Sequence, residues 1–161
     1  MSKKFTTIGL IGRQGMQAVS DTLTAVLDYL QVRGLEVLVE EETAASLKTQ
    51  QFTCCARDKL ARKVDLLIVV GGDGSLINAA HSAVEHDTPV LGVNRGRLGF
   101  LTDIHPQDLE KKIGEVLNGD YQEEQRFLLN TTIALQRDKL EAGIALNEVV
   151  LMPGNVARMI E

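Results

Sequence analysis

Hydrophobic and polar positions fall along this chain in blocks that switch between the two periods of secondary structure. Val64-Asp65-Leu66-Leu67-Ile68-Val69-Val70 is nearly unbroken apolar sequence, rich in β-branched residues. Such a run predicts a strand buried on both faces of a parallel sheet. Phe5-Thr6-Thr7-Ile8-Gly9-Leu10-Ile11-Gly12 predicts a first strand that ends in glycine. Val19, Leu23, Val26, Leu27 and Leu30 recur at helical spacing after it, and Gly34 stops that helix. Leu35 to Glu40 alternates as a second strand, whereas Glu41 to Arg62 is polar and predicted to be helical in part. Beyond the apolar run, Ser75 to Val84 reads as a helix and Thr88 to Asn94 as a short buried strand. Pro106 opens a last helix with Leu109, Ile113, Val116 and Leu117 on one face, and Asn118-Gly119 closes it.

Strands and helices in strict alternation imply an α/β protein: a three-layer αβα, Rossmann-like parallel sheet with helices on both faces. Right-handed crossovers then put the loops after Ile11, Val70 and Val93 along a single rim. The glycine loop after Val70 and the loop at Asn94 are therefore expected to share one crevice.

The pattern changes beyond Tyr121. Arg126 to Leu135 and then Gly143 to Met152 read as two strands with no helix between them, the beginning of an antiparallel β region. Two domains are expected, an α/β domain over residues 1–120 and the incomplete start of a β-rich domain over 121–161. Two strands cannot cover their own apolar face. The 161-residue chain is thus expected to be a piece of a longer protein.

Composition narrows the class. Seventeen Lys and Arg stand against 22 Asp and Glu, a net charge of -5 that argues against a nucleic-acid partner. No apolar stretch reaches the ~20 residues that cross a bilayer, and no signal-peptide core follows Met1, so no membrane partner and a cytoplasmic location are expected. Cys54 and Cys55 are adjacent and lack a spaced partner, which is neither a zinc spacing nor a disulfide framework.

The chemistry concentrates at Gly71-Gly72-Asp73-Gly74-Ser75, the junction of the apolar strand and its helix. Glycines allow positive φ and close approach of a ligand to bare backbone. The first-turn amides of the following helix form a natural anion site. A carboxylate there would repel a phosphate under it, but suits a proton acceptor or a metal contact beside one. The alternative is a tight turn in which Asp73 caps the helix.

Three blocks together resemble the NAD kinases. They are Gly71 to Ser75, then Asn94-Arg95-Gly96-Arg97-Leu98-Gly99-Phe100-Leu101, then Asn147-Glu148 followed by Ala157-Arg158-Met159-Ile160-Glu161. The first block alone is shared with lipid kinases and phosphofructokinases; the second is far more specific. The resemblance spans the chain but covers about the first half of the family's usual length. It implies phosphoryl transfer from ATP, or polyphosphate, to the 2′-hydroxyl of the adenosine ribose of NAD, with Mg²⁺ or another divalent cation bridging the donor phosphates.

By the same resemblance Asp73 is the base that takes the hydroxyl proton. Gly71, Gly72, Gly74 and Asn94 belong to the NAD/ATP site. Phe100 packs near the adenine, and Asn147 and Glu148 contact the adenosine and its ribose hydroxyls. Arg158 completes the binding set, and Arg95 and Arg97 are candidates for donor phosphates. No protein metal ligand is assigned, and the intact protein is expected to be a homo-oligomer. Two readings compete with this one: another kinase of the same loop superfamily acting on a lipid or sugar, and a non-catalytic nucleotide-binding module. This stretch alone is expected to have little activity.

Overall fold

A computed structural model of the chain describes residues 4–47, 51–96, 99–102, 104–135 and 138–150. Its backbone divides into two compact units, Met1–Gln122 and Glu123–Glu161.

The first unit is built on five parallel strands: β1 (Thr7–Gly12), β2 (Glu36–Glu40), β3 (Thr53–Cys55), β4 (Leu66–Gly71) and β5 (Val90–Asn94). Their order is β3-β2-β1-β4-β5, so the chain builds outward from β1 in one direction and then returns to build outward in the other. The reversal between β1 and β4 is the switch point at which doubly wound sheets open a crevice beyond their strand ends.

Burial explains why the β1 and β4 sequences lack alternation, and it extends to both faces of β2 at Val37, Leu38 and Val39. Ile8, Leu10, Val37, Val39, Leu66, Ile68 and Val70 face one core, against α1 (Gln17–Val32) and α5 (Leu109–Leu117). Leu38, Leu67 and Val69 face a second core, with Leu60 at the end of α3 (Arg57–Leu60) and Ala79 and Ala83 of α4 (Asp73–Ala83). With apolar partners on both faces, no polar position is tolerated within β4, and all six of its residues are buried. Phe5 and Tyr121, near the two ends of the unit, close it with ring centroids 5.6 Å apart.

Three sequence expectations need adjustment. The polar Glu41–Arg62 stretch holds a third strand as well as two short helices, α2 (Glu41–Ala44) and α3. β3 is three residues long and on the sheet edge, with Thr53 and Cys54 exposed and only Cys55 buried, so it leaves no periodic trace. The helix after the glycine loop begins at Asp73 rather than Ser75. Pro106–Asp108 forms a 3₁₀ turn that leads into α5, and Gly119 ends that region with φ 88°.

The second unit contains an antiparallel pair, β6 (Leu129–Leu135) and β7 (Asp138–Ala145), with a register irregularity between Ile133 and Ala134. β7 therefore starts and stops earlier than the Gly143–Met152 strand read from the sequence. Residues 146–150 follow it without regular structure.

Candidate active site

The site is built where β4 and β5 end side by side. Gly71 stands opposite Asn94 in the strand register, and the Arg95 amide donates to the Gly71 carbonyl at 2.8 Å. Asn94 is buried, and its Oδ1 accepts the Gly96 amide at 2.8 Å, folding the chain back over the strand ends. The shared crevice expected from the sequence is thus a direct contact between the two loops.

The four glycines around Asp73 do different work. A Cβ on Gly71 would lie 2.5 Å from Ser75 Oγ, so glycine there lets α4 close tightly onto the strand. A Cβ on Gly99 would collide with the Asp73 carboxylate. At Gly72 and Gly74 a Cβ would meet nothing within 4 Å. Nor is positive φ the reason, because among the described residues the positive-φ glycines are Gly15, Gly34 and Gly119. Gly72, the residue before α4, is extended at φ −111°. The glycine loop thus departs from the positive-φ expectation: Gly72 and Gly74 leave bare backbone facing outward, at the conformational cost of glycine near a helix start.

The α4 entrance shows how the helix meets its own needs. The Gly72 carbonyl accepts the amides of Ser75 and Leu76 at 2.9 and 3.2 Å. The amides of Asp73 and Gly74 make no hydrogen bond among the described residues. No side chain caps the helix, which removes the reading of Asp73 as an N-cap. Instead Asp73 reaches across to the segment after β5. Its Oδ2 accepts the Phe100 amide at 2.8 Å, while Oδ1 accepts the Leu101 amide at 3.1 Å and the Thr102 hydroxyl at 3.3 Å. The Phe100 amide, above all, holds the Asp73 carboxyl below the usual carboxylate range. Desolvation opposes that shift, and the Leu101 amide and Thr102 add to it. Asp73 is therefore ionised, oriented and only half-buried.

Phe100 is 95% exposed, so it is not a core residue; its ring stands at the rim while its backbone holds Asp73. Arg95, a candidate for donor phosphates, is engaged by a side chain of α1. Its Nε donates to Thr22 Oγ1 of α1, and it borders a cavity of about 460 Å³ with Asp21, Gln107 and Lys111. Asn147 and Glu148 lie in the second unit, exposed and past the end of β7, so the opposite-face geometry of strand neighbours does not apply to them. Arg97, Leu98 and Arg158 lie outside the described residues. Asn78 is exposed on α4, and Ser75 packs against Gly71.

Sequence reading missed Thr102, 29 residues from Asp73 and outside every motif block. It also missed a buried cluster at the ends of β1 and β2. There Thr43 Oγ1 accepts the Gly12 amide at 2.9 Å and donates to Glu40 Oε2 at 2.6 Å. Glu40 Oε1 lies 2.7 Å from Arg57 Nε, an ionic contact without hydrogen-bond alignment. No local pattern marks a lone buried glutamate at a strand end.

A parallel sheet with strand order β3-β2-β1-β4-β5, and a glycine loop with an oriented carboxylate at the strand ends, define a doubly wound α/β domain. Residues 8–121 match the ATP-NAD kinase N-terminal domain, and the chain belongs to the NAD kinase family. It is 48% identical over 159 residues to an NAD kinase of Teredinibacter turnerae, covering 99% of this chain and 54% of that protein. To an NAD kinase of Coxiella burnetii it is 50% identical over 157 residues, covering 98% of this chain and 52% of the relative. The chain thus spans about half the length of these relatives. The fold is shared with yeast NADH kinase, solved in complex with NADH, at a TM-score of 0.74 and 16% identity over 89% of this chain and 46% of that one. It is shared also with an NAD kinase of Archaeoglobus fulgidus, solved with ATP, at a TM-score of 0.56 and 18% identity over 83% and 45% of the two chains. No described helix is long and apolar enough to cross a membrane.

Proposed function

We propose that the whole protein to which this chain belongs transfers a phosphoryl group from ATP to the 2′-hydroxyl of the adenosine ribose of NAD, giving NADP. The observation that carries this reading is the Asp73 carboxylate, ionised and held beside the bare backbone of Gly72 and Gly74. A ribose hydroxyl is a poor nucleophile until a base takes its proton. As the new O–P bond forms, the proton passes to Asp73, the bond from the γ-phosphorus to its bridging oxygen breaks, and ADP leaves with that electron pair. The free amides of Asp73 and Gly74, at the positive end of α4, suit an oxygen of the transferring group.

Among the described residues no three His, Cys, Asp or Glu side chains converge as a metal cage, and three donors already engage Asp73. On this reading Mg²⁺ or another divalent cation bridges the donor phosphates of the nucleotide, as the family resemblance implies. Phe100, exposed at the rim, stacks on adenine; Asn147, Glu148 and Arg158 contact the acceptor, and Asn94 shapes the loop beside it. Polyphosphate as a second donor, a cytoplasmic location and a homo-oligomeric whole protein belong to the same proposal.

The test is NADP formation from NAD and Mg-ATP, measured with this chain and with a chain completed to the length of its relatives. Turnover is expected only in the completed chain, since catalysis needs base, donor and acceptor held in line and this chain spans about half the length of its relatives. Absence of NADP in both, or turnover of a lipid or sugar acceptor instead, overturns the reading.

A further inference from the structure

Asp73 does not orient itself. It sits in the first turn of α4, and the donors that hold it come from residues 100–102, beyond β5. That segment is fixed at its far end. Ile104 bridges Val93, the Asn94 amide donates to the Ile104 carbonyl at 2.8 Å, and the Ile104 amide donates to the Gly92 carbonyl at 3.4 Å. Thr102 is 1% exposed and pressed against Gly92, where a Cβ would lie 2.8 Å from its Cγ2 and 3.2 Å from its Cα. A buried, β-branched threonine with its methyl packed in this way has little χ1 freedom, which restricts where its hydroxyl oxygen stands. That hydroxyl points at Asp73 Oδ1.

We propose that Thr102 is the positioning residue for Asp73: with its methyl wedged at Gly92, its hydroxyl fixes the carboxylate plane so that the base faces the acceptor hydroxyl. This rests on Asp73 being the base of the proposed reaction. Buried as it is, Thr102 acts through Asp73. The Phe100 and Leu101 amides hold one carboxylate oxygen each, and the Thr102 hydroxyl is the side-chain donor that shares Oδ1 with the Leu101 amide. A misplacement of a fraction of an ångström at the reacting atoms is costly in rate. Among the described residues no charged side chain contributes to the state of this carboxylate; the groups acting on it are the Phe100, Leu101 and Thr102 donors.

Thr102→Val and Thr102→Ser separate positioning from packing. In the completed chain, valine is expected to lower kcat about tenfold or more with KM for NAD within about twofold, and serine, which keeps the hydroxyl but not the methyl wedge, to restore part of kcat. In this 161-residue chain a carboxyl-carbon NMR titration should show the Asp73 midpoint rising in Thr102→Val and returning in Thr102→Ser, because a lost donor destabilises the carboxylate. A hydroxyl that merely tuned basicity would make the valine protein as fast or faster at neutral pH, since the less acidic carboxyl is the stronger base. Unchanged or raised kcat in Thr102→Val, an unmoved Asp73 titration, or a serine variant as slow as valine overturns the proposal. Thr102→Ala removes the same hydroxyl if valine unfolds the domain, and the same comparison with serine applies. The titration does not depend on turnover, so it tests the hold of Thr102 on Asp73 even where the kinase reading fails.

Discussion

Two carboxylates stand at strand ends on this sheet, and their surroundings differ in kind. Glu40 closes β2, is 3% exposed, and is engaged by Arg57 and by the Thr43 hydroxyl, which in turn holds the Gly12 amide. Asp73 opens α4, is half-buried, and is held by two amides and a hydroxyl. A buried charge needs a counter-charge or it is expelled, and once matched it is part of the framework. A carboxylate held by neutral donors at a rim stays ionised and oriented while keeping a face toward solvent. The first arrangement ties two strand ends together; the second leaves an oriented anion at the rim, the base of the proposed reaction.

The sharpest way to break this comparison is Asp73→Asn in the completed chain. The loss of the base is expected to lower kcat by about 10²–10⁴-fold, with NAD affinity changed only a few-fold. The amide would also set its NH₂ against one of the facing donors, so hydrogen exchange at Phe100 and Leu101 should quicken. Full activity in the asparagine protein would remove Asp73 from the chemistry.

Gly99→Ala should come next. Its methyl would collide with the carboxylate, and overpacking of this kind costs about 1–3 kcal/mol, with kcat falling roughly tenfold or more as Asp73 is displaced. Wild-type kcat in a folded Gly99→Ala protein would show that the carboxylate tolerates movement.

Glu40→Gln should act in the opposite register. It sets an amide N–H near Arg57 Nε, and urea unfolding of this chain should show a loss of about 1–3 kcal/mol. The lower part of that range applies because Arg57 is 34% exposed and can rehydrate. The kcat of the folded completed variant should not change; a fall in kcat at full stability would make Glu40 functional after all.

The smallest effect is with pH. The folded Asp73 carboxyl lies below its ordinary value, so it contributes stability above the unfolded-state pKa, and the contribution fades as pH falls through the folded value. Between neutrality and the ordinary aspartate range, the stability difference between wild type and Asp73→Asn should stay flat. It should shrink only in more acid solution, measured by urea midpoints across pH. A difference that shrinks near neutral pH would contradict an anion held by these amides.

Much of this fold is legible along the chain because local and tertiary demands coincide there. The β4 run and the spacing of Val19, Leu23, Val26, Leu27 and Leu30 are consequences of burial, and burial is what periodicity reports. β3 was not legible, since a three-residue edge strand with two exposed positions owes its shape to pairing with β2. The ends of β7 were misjudged for a related reason. A two-stranded ribbon takes its limits from its partner's register, which apolar content does not disclose.

At the site the division is the same. The sequence by itself determined the strand–glycine loop–helix unit, the presence of Asp73 in it, and the family to which the chain belongs, because each is carried by residues adjacent in the chain. It could not say what the glycines are for, nor that Asp73 faces away from its own helix. Only the tertiary structure decided that Gly71 and Gly99 make room while Gly72 and Gly74 stay bare, and that Thr102 shares the hold on the carboxylate. The physical reason is that a hydrogen bond or a steric limit belongs to two groups at once. Here the partners stand 27 to 29 residues apart and meet only when β4 and β5 lie side by side.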